Sequence, residues 1–114
     1  MGKNFKRTIL IDLDGVLNNY NREYKENCIP PIKKGAKSFL ENLHQNFEIK
    51  LFTTRNKIVA TKWLEDNDIV HFFSDITNIK ELAWLYIDDR CLNFNGDYNN
   101  LIEQIENFKP WYKK

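Results

Sequence analysis

Apolar and polar positions follow two alternating periods along this chain. Thr8–Asp12 is a β-branched apolar run of strand length. Residues 18–33 are irregular, rich in asparagine and broken by Pro30-Pro31. Between Gly35 and Asn46, the residues Ala36, Phe39, Leu40 and Leu43 recur at helical spacing. Residues 47–53, FEIKLFT, alternate at Phe47, Ile49 and Leu51 and predict a second strand. Lys57–Asp66 predicts a second helix that buries Val59, Ala60, Trp63 and Leu64. Residues 72–77, FFSDIT, read as a short strand or turn, and Ala83–Ile87 as a third buried strand closed by Asp88-Asp89. Asp97–Phe108 is the cleanest helical pattern. Asp97 can cap it, and Tyr98, Leu101, Ile102, Ile105 and Phe108 fall on one stripe.

Strands alternating with helices imply parallel pairing through right-handed crossovers. The expected fold is a single α/β domain over residues 1–114: a three-layer, doubly wound, mainly parallel sheet. Ligands in such sheets bind outside the carboxyl ends of the strands, where the strand order reverses. Three predicted strands end in polar residues. They are Asp12 and Asp14 after the first, Thr53, Thr54 and Arg55 after the second, and Asp88 and Asp89 after the late one. If those strands are neighbours, all of these groups open onto one edge.

Composition narrows the classes. The 114 residues are 42% hydrophobic and 29% charged with a formal net charge of +1, so charge does not announce a nucleic-acid binder. Lysines gather at the ends, in Lys3, Lys6, Lys109, Lys113 and Lys114, which reads as solvated termini rather than a phosphate-tracking patch. Cys28 and Cys91 are too few for a disulfide framework and suggest free thiols in a reducing compartment. The apolar run after Arg7 is interrupted at Asp12, short of a signal-peptide core, and no run reaches the ~18–20 residues of a membrane helix. Gly2 lacks the myristoylation context, since Lys6 stands where Ser or Thr is needed. The expectation is a cytoplasmic protein without membrane contact.

Four carboxylates brought to one edge pose an electrostatic problem. Two like charges ~4 Å apart repel by ~4 kcal/mol at an effective dielectric of 20. Either some of Asp12, Asp14, Asp88 and Asp89 stay protonated, or a cation sits among them. An all-oxygen set without His or Cys selects a hard ion, with Mg²⁺ the best match. The glycines, Gly2, Gly15, Gly35 and Gly96, allow neither a P-loop nor a dinucleotide fingerprint.

The order of parts, with DLDGVL first, LFTTR second, Lys80 third and LYIDDR last, resembles the haloacid dehalogenase-like superfamily of phosphotransferases. The resemblance runs from about Thr8 to Phe94 and implies a doubly wound, Rossmann-like α/β fold and phosphomonoester hydrolysis. It implies Asp12 as the nucleophile that takes the phosphoryl group and Asp14 as the acid–base that serves the leaving oxygen and then water. Thr53 would donate to a phosphoryl oxygen, and Lys80 would neutralise charge and restrain Asp12. Mg²⁺ would be held by Asp12, the backbone carbonyl of Asp14, Asp88 and, directly or through water, Asp89. Glu81 follows Lys80 where relatives often have proline, which leaves Lys57 and Lys50 as competitors for that role. Thr54 competes with Thr53. One of Arg55 and Arg90 is expected to pair with a carboxylate. A response-regulator receiver uses similar residues, but its acidic pair comes first and its acceptor aspartate later.

Many relatives carry a cap domain; here neither Asn18–Lys34 nor Asn56–Ile79 has room for one. The site should be open, with NYNREYKENCIPP (residues 19–31) as a flap bringing Tyr20, Arg22 and Tyr24 to the entrance. An open site suits a small-molecule phosphoester such as a sugar phosphate or nucleotide, and leaves room for a second copy of the chain as its cover. A nucleic-acid end phosphatase is the less favoured alternative. A non-catalytic phosphate-binding module is the other, but it would be marked by a lost nucleophile, and Asp12 and Asp14 are both present.

Overall fold

A computed structural model describes residues 5–20 and 23–113; Gly2, Lys3, Arg22 and Lys114 lie outside them. Its sheet has four parallel strands: β1 (Arg7–Asp12), β2 (Phe47–Phe52), β3 (Phe73–Thr77) and β4 (Leu85–Ile87). Their spatial order is β3-β2-β1-β4, so β1 is flanked on both sides. The chain steps outward from β1 through β2 to β3, then crosses back to lay β4 on β1's other edge. The reversal of strand order therefore falls between β1 and β4. In register, Ile9 faces Ile49 and Leu85, and Asp12 faces Phe52.

The helices are α1 (Ala36–His44), α2 (Lys57–Asp66) and α3 (Tyr98–Glu106). Residues alternate faces along a strand, and Ile9, Ile11, Ile49 and Leu51 point into one core with Ala36 and Leu40 of α1 and Ala60 and Leu64 of α2. Both helices thus cover the same face, as two successive right-handed crossovers in one direction require. Asn56 starts α2 by accepting from the backbone N–H groups of Ile58 and Val59, and Asp97 caps α3 in the same way through Asn99 and Asn100.

The opposite face is mixed. Leu10 is buried there, but Glu48 accepts hydrogen bonds from Thr8 (3.1 Å) and Ser74 (2.8 Å), and Lys50 pairs with Glu81 at 3.0 Å. The expected third layer is not seen. α3 buries none of its residues, and Tyr98, Ile102 and Ile105 are 73%, 55% and 57% exposed. β4 is likewise an exposed edge strand of three residues rather than a buried one of five, with Trp84, Leu85 and Tyr86 partly in solvent. Phe39, expected inward on α1, is also exposed. Among the described residues no helix is long and apolar enough to cross a membrane. Cys28 and Cys91 are both free.

Candidate metal and phosphate site

β1 and β4 deliver the acidic groups. Asp12 is the last residue of β1, and Asp88-Asp89 directly follow β4, so parallel pairing brings them side by side. One carboxylate oxygen from each of Asp12, Asp88 and Asp89 lies within 4.8 Å of the others. Gly15 makes the approach of Asp89 possible: a Cβ there would overlap Asp89 Oδ2, and its φ of +85° is one that side chains rarely adopt. Trp111 Nε1 donates to the Gly15 carbonyl at 2.6 Å, fixing this turn from the far end of the chain.

The electrostatic strain falls on Asp12. Burial first, then repulsion from Asp88, Asp89 and Asp14, pushes its carboxyl up to about 8. Asp89 is also raised, by burial and by Asp88, and its Oδ2 is buried without a hydrogen-bond partner. Burial and Asp88 likewise raise the Cys91 thiol. Asp88 is more exposed, and its Oδ1 accepts the Arg90 backbone N–H at 2.9 Å.

Asp14 departs from expectation. Its carboxylate is not among the three that converge. Arg55 Nε donates to its Oδ2 at 2.9 Å and Asn18 Nδ2 to its Oδ1 at 3.0 Å, so both oxygens are already engaged. Asn18, fully buried, also accepts from the backbone N–H groups of Gly15 and Tyr20. The sequence reading missed Asn18. Its signal was a polar residue four positions after Asp14 in a stretch whose neighbours, Val16 and Leu17, are apolar.

Lys80 lines a cleft of about 90 Å³ with Asp12, Asp88, Cys91, Phe52 and Tyr86, and its ammonium sits 4.7 Å from the centre of the Tyr86 ring. Its competitors are engaged elsewhere, Lys50 with Glu81 at 3.0 Å and Lys57 with Asp75 at 3.9 Å. Thr53 is buried and Thr54 exposed. Thr53 Oγ1 accepts from the Arg55 backbone N–H at 3.1 Å, and the residue lines a second cleft of about 250 Å³ with Arg55, Lys57 and Thr77, which shares no lining residue with the first. Arg90 donates to the Tyr112 hydroxyl, so Arg55 is the arginine that pairs with a carboxylate.

No protein-family model matches the sequence, and no curated protein does. A solved structure from Bacteroides thetaiotaomicron, described as a conserved protein, is similar in fold. It has a TM-score of 0.59 and 21% identity over 96% of this chain and 97% of that one.

Proposed function

We propose that this chain is a Mg²⁺-dependent phosphomonoesterase of the haloacid dehalogenase-like type, acting on a small phosphoester through an aspartyl-phosphate at Asp12. The convergence of Asp12, Asp88 and Asp89 at the strand-order reversal carries the reading. Their donor set fits a hard divalent ion: all oxygen, one member with a buried oxygen that lacks a partner. Asp12, Asp88 and Asp89 would hold the ion, whose positive charge would offset their repulsion and that of phosphoryl oxygens.

As the carboxylate, Asp12 would attack phosphorus through one oxygen as the ester oxygen leaves in line. Water then attacks the same phosphorus, inorganic phosphate departs and the Asp12 carboxylate is restored. Asp14, two residues further along the chain, would move the proton for the leaving oxygen and for water through a lone pair that Arg55 and Asn18 leave open. Lys80, in the cleft with Asp12, would neutralise charge on the phosphoryl oxygens. The Thr53 hydroxyl accepts from the backbone and keeps its own proton to donate.

The test is hydrolysis of an aryl phosphate with Mg²⁺, with a chelator, and by Asp12→Asn. Turnover should require the metal and fall by at least about 10³-fold in the variant. Metal-independent turnover, or a fully active variant, would remove the reading. A panel of sugar phosphates, nucleotides and 3′-phosphorylated oligonucleotides then identifies the substrate class.

A further inference from the structure

Arg55 is the most completely enclosed charged side chain near the site: its side chain has no exposure to solvent. It reaches two separate stretches of chain. Nε donates to Asp14 Oδ2 at 2.9 Å, and Nη1 donates to the backbone carbonyls of Lys25 at 2.7 Å and Glu26 at 3.1 Å. The face of the guanidinium lies 4.6 Å from the centre of the Tyr24 ring. The loop that supplies Tyr24, Lys25 and Glu26 is cinched at its base. Asn18 and Ile32 form an antiparallel bridge, Asn19 N–H donates to the Pro31 carbonyl, and Lys33 N–H donates to that of Leu17. Arg55 is therefore a direct link between the loop's outer part and the carboxyl edge of the sheet.

Stability alone does not account for a guanidinium in this place. A buried ion pair adds little over an apolar contact of the same volume, and here Nη2 is left without a partner. What the rigid fork supplies is geometry, since a guanidinium can hold several acceptors at once in fixed directions where an ammonium cannot. We propose that Arg55 is a positioning residue, acting through Asp14 and through the loop backbone at Lys25 and Glu26. It holds the Asp14 carboxylate in place and ties the loop to it. The kinetic consequence rests on the phosphomonoesterase reading; the structural one does not.

Two measurements on the full chain separate them. Hydrogen exchange of the amides of residues 23–29, in metal-free protein, reads the loop directly. Arg55→Ala should raise it by about 10-fold or more, against little change in β1 and β2. Arg55→Lys, which keeps a charge for Asp14 but not the fork, should fall between. In parallel, kcat and KM are measured on an aryl phosphate with Mg²⁺. Misplacing Asp14 should lower kcat by about 10²-fold while KM moves little, and millimolar guanidinium should return part of the loss in Arg55→Ala. If Arg55→Ala does not fold, Arg55→Lys decides alone, with Tyr24→Ala as a surface variant that should also speed exchange in the loop. Unchanged exchange at residues 23–29 in the folded variants overturns the proposal. So does a lowered melting temperature with kcat intact, which would mark Arg55 as purely structural. If the wild-type chain shows no turnover, the phosphatase reading fails while the exchange experiment still tests the loop.

Discussion

At the scale of single residues, the site is a set of close approaches, and each can be perturbed alone. Gly15 is the sharpest case. Gly15→Ala would drive a methyl group into Asp89 Oδ2 and hold a side chain at φ +85°; the backbone strain by itself is about 1–3 kcal/mol. The expected outcome is lower stability in urea and weaker Mg²⁺ binding by calorimetry. Asp12→Asn should act in two directions. On the phosphomonoesterase reading it should lower turnover by at least about 10³-fold, yet in chelator it removes a carboxylate whose charge burial and three neighbouring acids disfavour, so the metal-free melting temperature should rise. A metal-free variant less stable than wild type would show that Asp12 is not the strained member of the group. That Asp12 and the Asp88-Asp89 pair belong together was legible, since both end strands and Gly15 follows at once. The engagement of Asp14 was not. Arg55 lies 41 positions away, and a motif gives residue types without saying which oxygen an arginine will take.

At the scale of elements, periodicity located helices and strands well and their surroundings poorly. α2 has the bounds its pattern predicts, and β1 and β2 agree to within a residue, because β-branched runs and an Asn56 cap are local signals. α3 and β4 formed as well, but their expected burial did not follow. An apolar stripe says that a face is apolar; what covers it depends on crossover direction and chain length elsewhere. With α1 and α2 both on one face, only a segment crossing to the other could have made the third layer, and α3 leaves its apolar side in solvent. Chemical denaturation should show the difference. Leu40→Ala, in the shared core, should cost about 2–5 kcal/mol. Ile105→Asp on α3 should change stability by no more than about 0.5 kcal/mol. A loss above about 2 kcal/mol at Ile105 would mean that α3 is packed in solution.

For the whole molecule, the concentrated acidity sets the pH response. Asp12 is raised to about 8 in the folded chain, whereas an aspartate in an unfolded chain titrates near 4. Between about pH 4 and 8 the folded state therefore binds more protons than the unfolded, and stability must fall as pH rises through that window. The upward shift of Asp89 acts with the same sign. Thermal melts in chelator should decline from about pH 4 to 8, and saturating Mg²⁺ should flatten or reverse the trend; a metal-free profile that rises instead would contradict it. The radius of gyration, 15.4 Å against about 13 Å for a closely packed domain of this length, fits an α3 that stands off the body. The strand order has a temporal side as well. Of the four strands β1 leaves the ribosome before the others, yet one of its two hydrogen-bonding partners is β4, made more than seventy residues later. Until that late segment arrives, the nascent chain carries a central strand with a bare edge and Asp12 without its acidic neighbours. Synthesis halted before Leu85 would thus yield a sticky, half-built sheet, and the acidic cluster can assemble only once Asp88 and Asp89 have been made.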